Sequence, residues 1–458
     1  MKYSKRKVNN MDSKPKPSAK ALIPFLIFIG LYLFTGFYLT YTGHELGFYA
    51  VNSPIFVIIG IISAFILFKG SMNEKFDNLV KGCGDENIII MCLIYILAGA
   101  FASVAAASGS IESTVNLGMS IIPSKYLVAG IFLMGAFISL STGTSVGTIV
   151  TVGPLAVGLA EKSGISLALM IGSLVGGAMF GDNLSVISDT TIAATRTQHV
   201  EMRDKFRMNF KIALPAAIIT FLILLFCVTP AKVVDTTNLS FTIIKVVPYI
   251  LVLVLALFGL NVFTTLTIGI LFSGAIGLVT KSFTLLKYTQ KIYEGFNGMF
   301  EIFLLSLLTG GLAYLVTKAG GIEWIIQKAK KLLKGKKSAE LGICVLISIL
   351  DIAVANNTVA IIIAGPVAKE ISKEYKVDPR RSASLLDTFS CVFQGLIPYG
   401  AQVLIAASLT KGLLSPFDII PYFWYQFILA IFAIISIYIP YTTAKKEWDF
   451  ELDKVKED

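Results

Sequence analysis

Two carboxylates, one amide and four hydroxyls lie within one short stretch of an otherwise apolar region. The stretch follows the apolar run 165–180 and reads Gly181-Asp182-Asn183-Leu184-Ser185-Val186-Ile187-Ser188-Asp189-Thr190-Thr191. An aspartate at the centre of a membrane helix costs about 2.5–3.5 kcal/mol on insertion scales, so such residues are rare outside ion pathways and ion pairs. The stretch therefore indicates a site for a cation or a proton, with Asp182 as the first candidate.

Polar residues interrupt three further apolar regions. They occur at Ser141-Thr142-Gly143-Thr144-Ser145, at Asp351 with Asn356-Asn357-Thr358, and at Asp387, Ser390 and Gln394 through 398–402. Carboxylate, amide and hydroxyl oxygens suit Na⁺ or another hard cation, whereas zinc and copper prefer His and Cys. Both histidines, His44 and His199, fall in predicted loops, so any transported proton must be carried by a carboxylate. The residue types predict an alkali-cation or proton site.

The composition predicts an all-α polytopic membrane protein. Of its 458 residues, 55% are hydrophobic and 15% are charged, against about 25% charged in soluble domains. Apolar runs near the ~20 residues that cross a bilayer recur along the chain, which predicts about 12–14 membrane segments. The formal net charge of +10 comes from short basic segments between these runs and does not indicate nucleic-acid binding. The five cysteines lack metal-ligand spacing, so no cofactor is expected.

The basic segments also predict topology and location. We expect a cytoplasmic basic tail (1–20), a first membrane repeat (21–230), a second membrane repeat (241–440) and a cytoplasmic tail (441–458) in the cell membrane. About seven crossings per half place both termini and most basic loops inside. The lysines of 281–291 are the exception, because this count puts them outside. Their segment is expected to lie along the interface as an amphipathic helix.

Two internal similarities relate the halves. Ala98-Gly99-Ala100-Phe101-Ala102 echoes Thr309-Gly310-Gly311-Leu312-Ala313, and Thr144-Ser145-Val146-Gly147-Thr148 aligns with Asn356-Asn357-Thr358-Val359-Ala360. An odd number of crossings per half would invert one copy relative to the other, which is the architecture of many secondary transporters. The short apolar runs 149–160, 359–367 and 385–396 further predict discontinuous or re-entrant helices that meet at a shared site.

The candidate residues of the first half also have structural interpretations. Asp182 and Asn183 can cap a helix that starts near Ser185, as Asp and Asn often do. Such capping contributes about 1 kcal/mol, less than the cost of burying the acid, so a functional role is favoured for Asp182. Asp189 stands two helical turns after Asp182 and would share its face, and either role fits it.

The polar residues of the second half are open to similar alternatives. Asn356 and Asn357 can bridge helices through their amides, although their alignment with the hydroxyls of the first half favours a role in the site. Asp351 and Asp387 fit equally well a role in the site or an ion pair with an arginine near the cytoplasmic surface.

The stretch 181–191 closely resembles the signature of the NhaC-type Na⁺/H⁺ antiporters, within the ion transporter superfamily. Gly143-Thr144-Ser145 and the segment 380–402 are also similar to that family, so the resemblance covers most of the chain. It implies two inverted repeats with discontinuous helices, and exchange of cytoplasmic Na⁺ for external H⁺ by alternating access. The family commonly has proline where Val186 stands, and its relatives include malate/lactate exchangers.

The predicted mechanism makes Asp182 the carboxylate for which Na⁺ and H⁺ compete. The other predicted ligands are Asn183, Ser185, Asp189, Thr144, Ser145, Asn356 and Asn357, with Asp351, Asp387, Thr358 and Gln394 as further candidates. Na⁺ itself is expected at Asp182, Asn183, Asn356 and Asn357. The expected partners are these two ions and the lipid bilayer, and a homodimer is left open.

A Na⁺- or H⁺-coupled transporter of a small organic anion or amino acid is the alternative function. It would use the hydroxyl cluster 142–148 and helix N-termini to bind a carboxylate. An enzyme is not expected, because the sequence contains neither G-x-S-x-G nor H-E-x-x-H and offers no suitable catalytic histidine.

Overall fold

The computed structural model describes residues 15–42, 50–185, 188–226, 228, 240–258, 260–331, 333–439, 441–442 and 448. Throughout these ranges the regular secondary structure is helical, which confirms the all-α prediction. Residues 1–14, 443–447 and 449–458 of the predicted tails, together with His44 and Val186, lie outside the described residues.

The chain forms two successive sets of helices. The first set is α1 Ile23–Tyr41, α2 Ser53–Leu67, α3 Met72–Cys83, α4 Glu86–Ala107, α5 Ser110–Ile121, α6 Leu127–Thr142, α7 Ser145–Ser163, α8 Leu167–Leu184, α9 Asp189–Gln198 and α10 Met202–Phe226. The second set is α11 Ile243–Leu257, α12 Val262–Val279, α13 Leu285–Gly298, α14 Phe300–Lys318, α15 Gly321–Lys330, α16 Lys336–Val354, α17 Asn357–Tyr375, α18 Pro379–Gln394, α19 Ala401–Leu409, α20 Pro416–Ile419 and α21 Trp424–Tyr438.

The helices are those of a multi-pass membrane protein. In the part of the chain that is described, seven helices are long and apolar enough to cross a membrane, or eight if the bent pair Pro416–Tyr422 and Trp424–Tyr438 forms one span. The predicted short segments differ in detail from the structure. The apolar run 149–160 is the middle of α7, and the run 359–367 lies in the first part of α17; each helix has 19 residues. The breaks therefore lie between helices, at their polar ends.

The same order of helices occurs twice. Helices α1–α10 correspond in turn to α11–α19 and α21. In both halves a glycine with positive φ separates the fourth and fifth helices, Gly109 (φ 76°) and Gly320 (φ 86°). A second positive-φ residue separates the sixth and seventh helices, Gly143 (φ 72°) in one half and Ala355 (φ 54°) in the other. The repeat predicted from the sequence at these positions is confirmed.

The halves pack through an exchange of equivalent helices. Helix α3 packs against α14, and its counterpart α13 packs against α4. Backbones touch at both places, because a Cβ added to Gly82 would lie 2.6 Å from the Gly310 carbonyl oxygen and one added to Gly99 would lie 2.1 Å from that of Gly295. The segment 281–291, expected to form an amphipathic helix, continues into α13. Lys287 and Lys291 lie on this helix, and its Gly295 contacts α4.

This close approach makes a methyl group at Gly99 costly. We expect Gly99→Ala to lower the free energy of unfolding by about 1–3 kcal/mol, because the new Cβ would force the α4 and α13 backbones apart. Gly130→Ala on α6 is the matched control, since no atom lies within 4 Å of its added Cβ, and it should be neutral or stabilising by up to about 1 kcal/mol. Thermal unfolding in detergent compares the two variants, and equal midpoints would contradict the packing.

The two halves are inverted relative to each other. Helices α10 and α21 are counterparts and pack against each other. Lys211, in the first half of α10, donates from Nζ to the carbonyl oxygen of Tyr441, just beyond the end of α21 (3.4 Å). The two helices therefore run antiparallel. Equivalent helices that run in opposite directions require a pseudo-two-fold axis across the helices, which lies in the plane of any membrane they cross.

Several basic segments meet on one face, which we call the basic face. Arg381 donates to Thr442 (3.2 Å), and the Arg380 guanidinium lies 5.3 Å from the centre of the Trp448 ring. Lys330 pairs with Glu370 on the same face. The loops that the positive-inside rule groups together are therefore adjacent in the structure.

Candidate functional site

The break between α8 and α9 positions Asp182. Close backbone contact fixes the end of α8 against α6, since a Cβ on Gly177 would lie 2.1 Å from the Phe132 carbonyl oxygen. The backbone is extended at Ser185 and at Ser188, and the chain then begins α9. Asp182 thus lies in the last turn of one helix, 5% exposed, with the start of the next helix folded back beside it.

Three donors from two chain segments surround the Asp182 carboxylate. Ser145, the first residue of α7, donates from its hydroxyl (2.6 Å) and its backbone N–H (3.3 Å) to Oδ2. The Ser188 hydroxyl donates to Oδ1 (2.5 Å) and lies 2.8 Å from the Thr190 hydroxyl. All of these side chains are buried. The carboxylate therefore lies in a buried pocket of hydroxyl groups.

The network continues into the second repeat. The amide of Gln402, on the first turn of α19, donates to the Ser145 hydroxyl oxygen (3.1 Å). The side-chain amide of Gln394, at the end of α18, donates to the side-chain oxygen Oε1 of Gln402 (2.9 Å). It also donates to the backbone carbonyl oxygen of Ala355 (3.4 Å). A continuous chain of hydrogen bonds thus joins the helix breaks of both repeats.

The two halves of this network are chemically unequal. With the α6–α7 turn aligned on the α16–α17 turn, Gln394 occupies the place of Asp182, and Asn357 that of Ser145. The repeat therefore provides one carboxylate and one neutral amide at equivalent positions. Only the first repeat brings an ionisable group to this point of the pseudo-two-fold arrangement.

A second buried cluster lies beside Asp182 and centres on an ion pair. Lys205 Nζ lies 2.6 Å from Asp387 Oδ2, and both side chains are fully buried. Asn183 and Asn209 each donate an amide N–H to the same oxygen, at 3.0 and 2.9 Å. The amide of Asn183 is therefore directed at Asp387, although its neighbour Asp182 belongs to the first network.

Two cavities lie between α14 and α19. The larger has a volume of about 240 Å³, and its lining includes Glu301, Leu404, Ser408 and Lys411. The smaller, about 20 Å³, is lined by Thr309, Asn356 and Ala401 among others, and so reaches the residue before Gln402. Glu301 begins α14, whereas the other end of α14 leads through α15 to Lys330 on the basic face. The larger cavity therefore lies toward the face opposite the basic face.

Comparison with known sequences gives the family. The sequence matches the model of the Na⁺/H⁺ antiporter family over residues 6–229 and again over residues 226–443. The chain belongs to the Na⁺/H⁺ antiporter family. The match to both halves of the chain agrees with the structural repeat, and it confirms the resemblance stated from the motif.

Individual members of the family are distant relatives that cover most of the chain. The chain is 24% identical to the Na⁺/H⁺ antiporter NhaC of Bacillus subtilis (strain 168), over 94% of this chain and 99% of the relative. It is also 24% identical to the malate-2H⁺/Na⁺-lactate antiporter of the same strain, over 81% and 85% of the two chains. It is 22% identical to NhaC of Alkalihalophilus pseudofirmus, over 86% and 91%.

In this member of the antiporter family, three predicted ligands act as helix caps or local turns. The Thr144 hydroxyl accepts from the Gly147 N–H (3.2 Å), and the Asn356 side-chain oxygen accepts from the Val359 N–H (3.0 Å). The Asn357 oxygen accepts from the N–H of Thr358 (3.0 Å), a further candidate whose side chain is half-buried. Of the predicted Na⁺ ligands, Asp182 is held by Ser145 and Ser188, whereas the side chains of Asn183, Asn356 and Asn357 have the hydrogen-bond partners Asp387, Val359 and Thr358.

Two predicted residues after the α8 break have different places from those expected. Asp189 begins α9, exposed to solvent, and does not share a helix face with Asp182, because the helix ends between them. That geometric prediction is wrong. Ser185 is buried, and its carbonyl oxygen accepts from the Thr191 hydroxyl (2.7 Å), which ties the break to α9. No group of three or more His, Cys, Asp or Glu side chains in the described ranges is arranged to hold a metal ion.

The two acidic site candidates of the second repeat, Asp351 and Asp387, do not pair with Arg380 or Arg381. Asp387 pairs with Lys205, while Arg380 pairs with Asp378 and Arg381 with Glu340. Asp351 is fully buried near the end of α16, and neither of its carboxylate oxygens has a hydrogen-bond partner among the described residues. Asp351 thus stays a candidate proton site that lies outside both networks.

Four residues of these networks are not among the ligands predicted from the sequence. Ser188 and Gln402 lie in the polar segments 181–191 and 398–402 that were expected to form the site, Lys205 belongs to a basic segment expected to be cytoplasmic, and Asn209 was not considered. A signal for Lys205 and Asn209 does exist in the sequence. They are four residues apart on α10 and share the helix face of the buried Met208 and Ile212, so the apolar periodicity places both side chains inside the protein.

Proposed function

We propose that the protein exchanges Na⁺ for H⁺ across a cell membrane by alternating access. The observation that carries the proposal is the buried Asp182 carboxylate, held by two serine hydroxyls where the breaks of both repeats meet. A buried carboxylate must be compensated by a proton or by a cation. Membership of the Na⁺/H⁺ antiporter family and the names of its relatives support the same pair of ions.

Na⁺ and H⁺ compete for one group in this mechanism. With Na⁺ bound, the two oxygens of Asp182 and the hydroxyl oxygens of Ser145 and Ser188 serve as ligands, since a hydroxyl keeps two lone pairs when its hydrogen turns away. When Na⁺ leaves, a proton on Asp182 removes the negative charge. Because the group is never left charged and empty, each ion that departs is replaced by the other, which couples their movements.

The two inverted repeats supply the alternating access. In the proposed orientation the basic face is cytoplasmic and the cavity lined by Glu301 and Lys411 is external. The hydrogen bonds from Gln394 to Gln402 and from Gln402 to Ser145 connect the helix breaks of the two repeats. Rocking of one repeat against the other would open the Asp182 pocket first to the external cavity and then to the basic face. An inward proton gradient would then drive Na⁺ out of the cell.

The test is a transport assay with purified protein in liposomes. With a pH-sensitive dye inside, an outward Na⁺ gradient should acidify the lumen, without any organic solute, and protein-free liposomes should show only leak. Raising the H⁺ concentration on the side from which Na⁺ binds should also raise the Na⁺ concentration for half-maximal rate, by up to about tenfold per pH unit where protonation dominates. A Na⁺ gradient that moves no protons would reject the proposal.

Coupled transport of a small organic acid is the second candidate function. The external cavity favours it, because Ser408 and Lys411 bring a hydroxyl and a cation to a space of about 240 Å³, and because one relative is named as a malate-2H⁺/Na⁺-lactate antiporter. Malate and lactate added to the same liposomes separate the two functions. If proton movement requires one of these acids, the organic-acid transporter is the correct assignment.

A further inference from the structure

The ammonium group of Lys205 lies in a cage of oxygen atoms. Its Nζ is 2.6 Å from Asp387 Oδ2, 2.7 Å from the Asn183 carbonyl oxygen and 2.6 Å from the Thr191 hydroxyl oxygen. An ammonium has three N–H donors, and here each of them has one oxygen acceptor. The oxygens come from α8, α9 and α18, and α10 supplies the charge. This is the coordination that a small cation would receive from the same groups.

The side chains at the cage carry further oxygen atoms. The side-chain oxygens Asn183 Oδ1, Asn209 Oδ1 and Asp387 Oδ1 are buried and have no hydrogen-bond partner among the described residues. The amide nitrogens of Asn183 and Asn209 lie 3.0 and 2.9 Å from Asp387 Oδ2, so these two side chains border the ion pair directly. Carboxylate, amide and backbone carbonyl oxygens are the donor types that bind hard cations.

We infer that Lys205 is a tethered cation that fills a monovalent cation site next to Asp182, so that no free ion binds there. The backbone supports this assignment, because Asn183 directly follows Asp182 and its carbonyl oxygen is one of the three acceptors. The site is specific to one repeat, since the position equivalent to Asp387 in the first repeat is Val175. Its charge cannot leave, because it is covalently attached to α10. Lys205 thereby limits the exchangeable cation to the Asp182 pocket and sets how many ions bind per chain.

The inference goes beyond the proposed exchange and has its own test. Lys205→Met removes the charge but keeps most of the side-chain volume, which leaves the Asp387 carboxylate unpaired in an oxygen-lined pocket. We expect the detergent-purified variant to bind about one more Na⁺ per chain than the wild type in equilibrium dialysis with radioactive Na⁺. We also expect saturating NaCl or KCl, compared with choline chloride, to raise its thermal unfolding midpoint by at least about 3 °C more than the same salt raises that of the wild type.

Two further variants separate this site from the Asp182 pocket. Asp182→Asn combined with Lys205→Met should keep the cation-dependent stabilisation, whereas Asp182→Asn alone should lack it; this holds whether or not the protein proves to exchange Na⁺ for H⁺. Lys205→Met combined with Asp387→Asn should lose the extra bound ion, and NaCl should raise its unfolding midpoint over choline chloride no more than it raises that of the wild type, because the anionic ligand is gone.

The outcomes are decisive even if Lys205→Met folds poorly. Recovery of folded variant only in buffers that contain NaCl or KCl is the same expected result, because the ion then replaces the ammonium. A variant that gains no bound Na⁺ and is stabilised by NaCl and KCl no more than the wild type would overturn the inference. So would a variant that cannot be recovered folded in any of the three salts while the Lys205→Met, Asp387→Asn pair folds normally.

Discussion

Asp182→Asn is expected to reduce Na⁺-driven proton movement in liposomes by about 100-fold or more, to the background leak. The amide has nearly the same size and can accept from one of the two serine hydroxyls and donate to the oxygen of the other, but it carries no negative charge for Na⁺ and takes up no proton at neutral pH. The variant should insert and fold, because a neutral group costs less to bury than a carboxylate. The measurement is the initial rate of lumenal acidification, normalised to the amount of folded protein.

Two controls make this result specific to the pocket. Asp77→Asn removes a carboxylate from the exposed surface of α3 and should leave the exchange rate within about twofold of the wild type. Ser145→Ala removes one hydroxyl from Asp182 but leaves its charge, so we expect apparent Na⁺ affinity to fall by about tenfold, in line with one hydrogen bond to a charged group. Wild-type exchange by Asp182→Asn would show that another group carries the ions.

Arg381→Leu is expected to give the largest loss of stability, about 3–5 kcal/mol in the free energy of unfolding. Its guanidinium donates to Glu340 (3.0 Å), Ser436 (2.6 Å) and Thr442 (3.2 Å), so one buried side chain joins α16, α18 and α21 near the basic face. Leucine would leave the Glu340 carboxylate, 8% exposed, without its cation. Unfolding in detergent, monitored by the fluorescence of a thiol-independent dye or by circular dichroism, measures the difference.

The chain offers a matched surface pair as the control. Lys330 and Glu370 also form an ion pair on the basic face, but their side chains are 41% and 61% exposed. Lys330→Ala should therefore change the free energy of unfolding by no more than about 0.5 kcal/mol. Arg381→Leu combined with Glu340→Leu should recover most of the lost stability, because no charge is then left unpaired. If the single and double variants are equally unstable, packing rather than the unpaired carboxylate is the cause.

The sequence predicted the helical membrane class, the repeat and the family, because these depend on local or strongly periodic features. Apolar runs of membrane length must form helices wherever they lie. The turns at Gly109 and Gly320 recur because each needs a residue that adopts positive φ at little cost. Asp182 was also predicted from a local feature, because an acidic residue next to an apolar membrane run is costly to bury unless it is paired or binds an ion.

Only the tertiary structure decided which side chains meet. Asp189 lies outside the Asp182 network because α8 ends before it. The amide of Asn183 donates to Asp387, because a fully buried carboxylate must be satisfied by hydrogen-bond donors. Lys205 belongs to a basic segment that the sequence places at the membrane surface. It is buried in the structure because it pairs with Asp387 of α18, which is distant in the sequence. The partner of a buried charge is set by contacts between remote segments, and no local pattern of residues encodes those contacts.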